Sequence, residues 1–311
     1  MTTVFHPGEL AIQNESEVEQ RTNKLGNKLI RDHIVDQHKE FFESLSYVFV
    51  ALHDNNGRPW LSLMQGKQGF ANSPSRHTLN LTGKVIAQDV LGLQADKDNP
   101  IGIVGLELAN RRRNRLNGRL NNQTNDDLLS ITVEHSFGNC PKYIQVREFN
   151  SSFNDQQNNS SLNDRYELFD EFDTTDINLI KEADTLFIAS AEKQNGNLDA
   201  SHRGGKPGFI KVDNKRQLWF NDYPGNNYFQ TFGNIHTYPS IGLMLIDFET
   251  GDLLLLCGKA RLEQTRHIEN EPNFFARQCY FTLEKGVRIK QGIKGTWSDV
   301  EMSPFLHDDL S

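Results

Sequence analysis

The sequence predicts an α+β, mainly β protein that consists of two tandem barrels related by internal duplication. Three observations support this fold class: two stretches of the chain recur at a nearly constant offset, the apolar segments are short, and a polar stretch divides the two copies. A chain of 311 residues is long enough for about two domains.

The internal repeat rests on two pairs of matching segments. Residues 57–70 (GRPWLSLMQGKQGF) match residues 196–209 (GNLDASHRGGKPGF) at an offset of 139 residues. Residues 101–120 match residues 241–260 at an offset of 140 residues. A shift of one residue over so long a span is hard to obtain by chance, and the period far exceeds the roughly 20 to 50 residues of a solenoid repeat. We therefore interpret the repeat as a duplicated domain.

The domain boundaries follow from the repeat and from local composition. We expect an N-terminal arm at residues 1–35, a first barrel at 36–149, a linker at 150–164, and a second barrel with a C-terminal extension at 165–311. The linker is polar and lacks apolar periodicity. Within the arm, residues 15–30 predict a helix, because acidic residues come early and Lys comes late, which suits the helix dipole.

Each copy shows the same order of short elements. A helix leads into an apolar strand, a Gly-containing turn and a second strand; a Gly-rich corner, a further strand and another helix follow, and a long hairpin ends the copy. Short strands with little helix between them favour a closed or nearly closed barrel. The predicted helices lie at 36–45, near Asp89, at 176–183 and at 228–236, the leading strands at 47–52 and 186–191, and the hairpins at 101–106 with 115–120 and 241–248 with 253–260.

Composition and charge exclude several classes of protein. The net charge of −8 argues against a nucleic-acid-binding protein, whose surface is usually basic. The longest apolar runs, 243–246 and 253–257, fall far short of the ~20 residues of a membrane helix, and the start of the chain lacks a signal-peptide pattern. Cys140, Cys257 and Cys279 are odd in number and widely spaced, which favours reduced thiols over disulfides or zinc. We expect a cytoplasmic protein without a metal.

The Gly-rich corner of the second copy, residues 199–209, contains the first candidate binding residues. Ser201, His202 and Arg203 are neighbours there, and the glycines would let a flat or phosphorylated ligand approach the backbone. Strand alternation puts Ser201 and Arg203 on one side and His202 on the other, so not all three can face one ligand. A solvated β-turn is the alternative interpretation of this segment.

The next segment, residues 219–229 (WFNDYPGNNYF), gives a stronger signal. An apolar strand runs into Asn221 and Asp222, a Pro-Gly turn follows, and Asn226 and Asn227 open the expected helix. A helix start offers free backbone N–H groups and a positive dipole end, which suit a phosphate. The alternative is that Asn226 or Asn227 serves only as an N-cap.

Further basic residues lie at the ends and at the expected tip of the two hairpins. Lys259 and Arg261, at the end of the last hairpin strand, supply charge that could reach the same ligand. In the first copy Met64 stands at the position of Arg203, so we interpret this copy as having lost its phosphate-binding residues. The basic run 111–115 falls at the expected tip of the first hairpin and is interpreted as a solvated turn.

Several motifs, taken together, resemble a known family. They are FHPGELAIQ near the start, GNCPKYIQVREF at residues 138–149, and SHRGGKPGFIKV, NDYPGNNYFQTFGNI, IDFETGD and GKARL in the second copy. In this order they resemble the pyridoxamine 5′-phosphate oxidase-like FMN-binding split barrels, and most of all the tandem-barrel branch described as flavin-nucleotide-binding proteins. The resemblance covers nearly the whole chain.

The resemblance implies two tandem FMN-binding split β-barrels with FMN held where the barrels meet. It implies that strand 200–203 and turn 221–227 bind the ribityl phosphate, and we expect the NCPKYI segment, 139–144, to contact the flavin ring. The chain departs from the oxidases at residues 225–227, where they have a Ser-Arg-Lys turn, and it lacks clear counterparts of their substrate-binding Arg and His residues near the C-terminus. The expected cofactor-binding residues are Ser201, His202, Arg203, Asn221, Asp222, Asn226, Asn227, Lys259 and Tyr143.

Three functions fit this pattern. The first is an FMN-dependent oxidoreductase that acts on an unidentified small molecule, with no catalytic residue assigned because the flavin supplies the hydride chemistry. The second is a non-catalytic flavin-binding module, and the third is a split barrel that binds another ligand such as haem. We expect no nucleic-acid or membrane partner, and either a monomer that forms an intramolecular pseudo-dimer or a homodimer.

Overall fold

The computed structural model describes residues 3–121, 127–152, 165–264 and 277–306. Within these ranges the protein is mainly β, with short helices at the N-terminus and between strands. No helix in the described ranges is long and apolar enough to cross a membrane. The helices are α1 (Pro7–Glu15), α2 (Glu19–Leu29), α3 (Asp36–Ser44), α4 (Gln88–Leu91), α5 (Thr174–Glu182) and α6 (Gln230–Thr237).

The first part of the chain forms a seven-stranded antiparallel sheet in the order β2-β1-β5-β6-β7-β4-β3. A further short strand, β8 (Phe149–Ser151), follows it. The seven strands are β1 (Tyr47–His53), β2 (Pro59–Gln65), β3 (Ala71–Ser75), β4 (Thr78–Thr82), β5 (Pro100–Glu107), β6 (Arg112–Leu120) and β7 (Leu128–Gly138).

The second part forms an eight-stranded sheet in which β11-β10-β14-β15-β16-β13-β12 repeats the order of the first sheet, and β9 pairs with β16. A last strand, β17 (Gly295–Trp297), pairs with β8. The eight strands are β9 (Tyr166–Phe169), β10 (Thr185–Ala191), β11 (Leu198–Gly204), β12 (Ile210–Asn214), β13 (Gln217–Asn221), β14 (Ser240–Ile246), β15 (Leu253–Gln264) and β16 (Arg277–Ile289).

One apolar core joins the two sheets, and the second sheet encloses a further cluster of its own around Phe220, Phe232 and Phe281. Phe49 on β1 and Phe187 on β10 stack with ring centroids 3.8 Å apart. Leu253 and Leu255 of β15 belong to the same buried cluster as the strands of the first sheet. Since each fully buried side chain of this size contributes about 1.5–3 kcal/mol, the contact between the sheets is a large part of the stability.

Two glycines allow the sheets to approach this closely. A Cβ atom on Gly102 of β5 would lie 2.9 Å from the backbone of Asp199 and Ala200, and one on Gly242 of β14 would lie 2.8 Å from the backbone of Pro59 and Trp60. Real Cβ atoms essentially never come closer than 3.0 Å to another atom. The glycine that follows isoleucine in both repeated segments is therefore explained by backbone-to-backbone contact between the sheets.

The N-terminal arm forms two helices where the sequence predicted one at residues 15–30. The predicted helix corresponds to α2, and α1 is an additional helix that precedes it. Pro7 occupies the first turn of α1 and His6 caps it, with Glu9 completing the capping box. It ends before Glu17, whose φ of 57° is left-handed and breaks the helix. A Cβ on Gly8 would lie 2.3 Å from the carbonyl oxygen of Gly233, so α1 packs directly on α6.

A buried ion pair joins the end of the first sheet to the start of β10. The Arg147 guanidinium donates to both carboxylate oxygens of Asp184, at 3.2 and 2.6 Å, and lies 4.0 Å above the ring of Phe248. Of the expected linker 150–164, residues 150 and 151 belong to β8, and residues 153–164 lie outside the described ranges.

Candidate functional site

A polar cleft lies between β6 of the first sheet and β11 of the second; we call it the intersheet cleft. It consists of two adjoining cavities with volumes of about 110 and 70 Å³. The larger faces α6 and the N-terminal arm, and the smaller faces residues 139–143. Both are lined by Arg115, Ser201, Arg203, Tyr223, Gly225 and Asn226.

The first sheet supplies two arginines to this cleft, and the prediction of a solvated turn at residues 111–115 is wrong for them. The hairpin turns earlier, at a 3-10 turn over Leu108–Asn110 that ends with Arg111 in the left-handed region. Arg113 and Arg115 therefore lie on β6, two residues apart and on one face of the strand. That period of two within the basic run is the signal in the sequence that identifies them.

Both arginines reach across to the second sheet. Arg113 donates to the carbonyl oxygens of His202, at 3.1 Å, and Cys140, at 3.0 Å. Arg115 is 5% exposed and forms an ion pair with Asp199 of β11. The first copy, which was interpreted as having lost its phosphate-binding residues, thus contributes cations to a cleft shared by both sheets.

The strand β11 contributes the residues expected from the Gly-rich corner. Ser201 and Arg203 line both cavities, and His202 lines the smaller one. The alternation expected along the strand holds only in part, because all three border the same cleft. The Arg203 guanidinium also lies 5.0 Å above the ring of Phe232 on α6, which fixes its direction.

The turn after β13 borders the cleft, but its helix starts later than the sequence predicted. Asn226 and Asn227 do not open α6: the Asn226 side chain accepts from the N–H of Tyr228, Asn227 has a left-handed φ of 60°, and α6 begins at Gln230. Residues 222–227 and the first turn of α6 nevertheless line the larger cavity together. The start of α6 at Gln230 therefore borders the cleft in place of the helix start expected at Asn226 and Asn227.

The remaining predicted residues lie at different distances from the cleft. Tyr143 lines the smaller cavity, and its hydroxyl donates to the carbonyl oxygen of Pro224 at 3.2 Å. Asn221 borders neither cavity, and its side-chain oxygen accepts from Gln278 at 3.1 Å. Lys259 is exposed and borders neither cavity; its ammonium is 5.8 Å from the ring of Tyr238.

Positive charge is concentrated in the cleft. Burial, together with the neighbouring Arg203, lowers the pKa of Arg113 to about 10. Burial, Arg113 and Arg203 also hold the pKa of Arg115 well below its usual value. The Nε atoms of Arg113, Arg115 and Arg203 are buried and have no hydrogen-bond partner among the described residues. Buried cations with free N–H donors are costly unless an anion compensates them.

His202 is a neutral hydrogen-bond donor in this cleft. Burial, followed by the charges of Arg113 and Arg203, holds the pKa of His202 well below its usual value, so the ring is neutral at physiological pH. Its Nδ1 lies 3.3 Å from Nη1 of Arg113, which can only donate. Nδ1 therefore accepts and Nε2 carries the proton. That Nε2 has no partner in the described part of the chain.

The N-terminal arm closes the larger cavity, which the sequence did not predict. Ser16 and Val18, between α1 and α2, line it, and the Ser16 hydroxyl accepts from Arg277 at 2.7 Å. Asp222 lies on the same wall; burial raises its pKa to about 6 although Arg203 and Arg277 act to lower it. The cleft is thus cationic with one acid that is easily protonated. Among the described residues no group of three or more His, Cys, Asp or Glu could hold a metal ion.

Comparison with known proteins gives structural neighbours but no match in sequence. No family model matches the chain, and no curated protein matches it. A protein of Lactobacillus delbrueckii, provisionally described as a pyridoxamine 5′-phosphate oxidase, is 14% identical, with 39% of this chain and 98% of that one covered and a TM-score of 0.31.

Two further solved structures give the same picture. HupZ from Group A Streptococcus is 12% identical over 40% of this chain and 98% of its own, with a TM-score of 0.30. HutZ, the haem storage protein of Vibrio cholerae, is 14% identical over 36% of this chain and 89% of its own, with a TM-score of 0.28. The Lactobacillus protein is described by the name of the family that the sequence motifs resemble.

Proposed function

We propose that the intersheet cleft binds FMN by its phosphate and that the protein is an FMN-dependent oxidoreductase acting on a small molecule. The observation that carries the proposal is the convergence of Arg113, Arg115 and Arg203, from both sheets, with buried Nε–H donors that lack partners in the described residues. Arginine is the side chain best suited to phosphate, since its planar fork donates two parallel hydrogen bonds.

The phosphate is proposed to lie where the two cavities join. Arg115, Ser201, Arg203 and Asn226 border both cavities, so an anion there is within reach of donors from each sheet. The first turn of α6 adds backbone N–H groups and the positive end of a helix dipole. These donors take over the role of the Ser-Arg-Lys turn that the sequence lacks at residues 225–227.

The flavin ring is proposed to extend toward residues 139–143. These residues line the smaller cavity together with Arg203, and Tyr143 packs on Tyr223 with ring centroids 5.2 Å apart. Tyrosine rings give a flat ligand apolar contact, while their hydroxyls keep polar partners. Flavin bound in this way would supply hydride transfer. The chain's own residues would hold the phosphate, orient the ring and offer the Nε2–H of His202 as a neutral donor.

The shape of the fold supports a proposal about its origin. The identical strand order of the two sheets and the offset of 139 to 140 residues in the sequence support two split barrels, at 36–149 and 165–311, that arose by duplication. The site would then lie in an intramolecular pseudo-dimer, because β6 comes from one copy and β11 from the other.

Haem is the second candidate, because Nε2 of His202 is buried without a partner and could be considered an iron ligand. The tautomer argues against it. A histidine that binds a metal through Nε2 donates its Nδ1–H to a neighbour. Here Nδ1 faces Arg113, which cannot accept, so the proton is on Nε2 and the nitrogen is a donor. The hydrogen-bond pattern therefore favours an anion over iron.

The proposal is tested by titrating the purified protein, stripped of ligand, with FMN, riboflavin and haem. We expect FMN to bind at least about tenfold more tightly than riboflavin, because each hydrogen bond to a charged group contributes ~1.5–3 kcal/mol. Equal affinity for FMN and riboflavin, or a haem spectrum with no flavin binding, would contradict it. Bleaching of the bound flavin by NAD(P)H, with recovery in oxygen, is the expected sign of oxidoreductase activity; its absence leaves a flavin-binding module.

A further inference from the structure

A second polar cavity lies on the other side of the Arg115–Asp199 ion pair, and its chemistry is opposite to that of the intersheet cleft. It has a volume of about 260 Å³ and is enclosed by the N-terminal arm, β6, β7, β11 and α6; we call it the arm cavity. Arg115 borders the intersheet cleft, and its partner Asp199 borders the arm cavity. The buried ion pair lies between the two spaces, together with Gln230, which borders both.

Three hydrogen-bond acceptors without partners belong to residues that line the arm cavity. Asn117 Oδ1, Asp199 Oδ2 and Gln230 Oε1 are buried atoms that have no partner within the ranges the structure describes. Asp199 is 3% exposed and Gln230 is 8% exposed, so bulk water does not satisfy them. The orientation of the Asn117 amide is fixed, because its Nδ2 donates to the other oxygen of Asp199 at 3.4 Å. Leaving such buried acceptors unsatisfied costs free energy.

One carboxylate of the cavity, Glu192, has no arginine partner among the described residues. It is 8% exposed and accepts from Asn195 and Asn197, which also line the cavity. Of the other lining acids, Asp199 pairs with Arg115 and Glu134 pairs with Arg119. Burial raises the pKa of Glu9 to about 8, so this carboxyl is mostly protonated at neutral pH.

The two histidines of the cavity add no opposing charge. Burial lowers the pKa values of His6 and His135, which leaves both rings neutral at neutral pH. No lysine or arginine is among the residues that line this cavity in the described structure.

We propose that the arm cavity binds a small organic ammonium compound whose N–H groups donate to Asn117, Asp199 and Gln230. A primary ammonium has three donors and no acceptor, which matches three converging acceptors beside buried carboxylates. A bare metal ion fits less well, because the described residues contain no group of three His, Cys, Asp or Glu with metal-binding geometry. The inference goes beyond FMN binding and holds whether or not the intersheet cleft takes a flavin.

The test is isothermal titration of the full-length protein with three probes: butylamine, 1,4-diaminobutane and agmatine. Neutral 1,4-butanediol and potassium chloride at matched ionic strength are the ligand controls. We expect saturable binding of at least one amine at one site per chain, and none of the diol. Absence of binding by all three amines, equal binding of the diol, or the same saturable heat from potassium ion alone would overturn the proposal.

Two variants locate the site. Asn117→Leu removes one acceptor and Glu192→Gln removes one charge while keeping the side-chain shape; each should weaken amine binding by about tenfold, the equivalent of ~1.4 kcal/mol. The matched control is Asn80→Leu on β4, whose amide oxygen also lacks a partner among described residues but does not border the cavity. Amine affinity unchanged in Glu192→Gln, or weakened equally in Asn80→Leu, would show that the amines bind elsewhere.

Discussion

The intersheet cleft and the contact between β15 and β2 are made by strands at corresponding positions of the two sheets, yet their linings differ. At the offset of the repeat, Arg113 and Arg115 correspond to Leu253 and Leu255, and Arg203 corresponds to Met64. These apolar residues are fully buried in the common core. The intersheet cleft is lined by arginines with unpartnered N–H donors among the described residues. The contact between β15 and β2 is filled by apolar side chains.

The counterpart is closed by hydrogen bonds as well as by packing. The side-chain amide of Gln65, which follows Met64, donates to the carbonyl oxygen of Gly292 at 3.0 Å and accepts from the N–H of Lys294 at 2.9 Å. Burial of leucines stabilises a fold, whereas a cluster of buried arginines costs free energy. The comparison therefore teaches that the cationic region is retained at the expense of stability, as expected of a binding site.

The largest effect is expected when the cationic region is converted into its counterpart. The double substitution Arg113→Leu and Arg115→Leu should weaken FMN binding by more than about a hundredfold, since two charge-assisted contacts of ~1.5–3 kcal/mol each are lost. Fluorescence titration of FMN measures this. Arg119→Leu is the control, because Arg119 lies on the same strand but pairs with Glu134 at the surface. If the double variant binds FMN as tightly as the wild type, the two arginines do not bind the phosphate and the contrast between the two regions does not reflect ligand binding.

The next effect concerns Arg147, a buried arginine with a bidentate carboxylate partner, unlike the arginines of the cleft, whose Nε atoms have no partner among the described residues. Arg147→Met leaves Asp184 buried without its bidentate partner, and we expect the free energy of unfolding to fall by about 3–5 kcal/mol. Arg216→Met, which breaks exposed pairs with Asp170 and Glu171, should cost less than about 1 kcal/mol. Urea denaturation of both variants gives the two values, and similar losses would show that burial does not set the cost.

A single substitution tests the arginine supplied by the second sheet. Arg203→Ala removes one charge-assisted contact of ~1.5–3 kcal/mol, so FMN affinity should fall by roughly tenfold to over a hundredfold. Riboflavin affinity should change far less, because riboflavin lacks the phosphate. If the FMN dissociation constant stays the same in Arg203→Ala, the phosphate lies elsewhere and the proposed site fails.

The smallest effect concerns the one acid on the wall of the cleft. With a pKa raised to about 6, Asp222 is protonated below that pH and ionised above it, beside Arg203 and Arg277. Its negative charge should oppose a phosphate, so Asp222→Asn should bind FMN a few-fold (roughly three- to tenfold) more tightly than the wild type at pH 7.5 and equally at pH 5. The ratio of the two affinities cancels the ionisation of FMN itself. A ratio that does not change with pH would exclude Asp222 as a neighbour of the phosphate.

Local patterns were enough to predict most elements of the fold. The helix at 36–45 and the strands at 47–52 and 186–191 are confirmed within two residues, because their apolar spacing and flanking residues act locally. Residues 201–203 of the Gly-rich corner, which the sequence singled out as binding residues, border the cleft. What failed depended on backbone geometry at single positions, such as the left-handed Arg111 that moves the hairpin turn away from Arg113.

Long-range contacts account for the rest of the site that was not predicted. The arm reaches the larger cavity through Ser16, some 260 residues away in sequence from its partner Arg277. The helix α6 starts later than predicted because two residues before it, Asn227 and Phe229, have left-handed φ angles. Neither feature leaves a periodic signal in the sequence, since both depend on what packs against the chain.

The glycines at positions 102 and 242 have a consequence for how such a site can change. At Gly102 the backbone of β5 contacts the backbone of β11, so backbone atoms and not side chains set the distance between these two strands. Because β6 is the neighbour of β5 in the first sheet, this contact also sets the distance between β6 and β11. The substitution Gly102→Ala would push β5 away from β11, because its Cβ would lie too close to the backbone of Asp199 and Ala200. It would thereby change the width of the cleft from a position outside the cleft lining. The width of the cleft thus depends on the contact between β5 and β11 as well as on the arginines that line it.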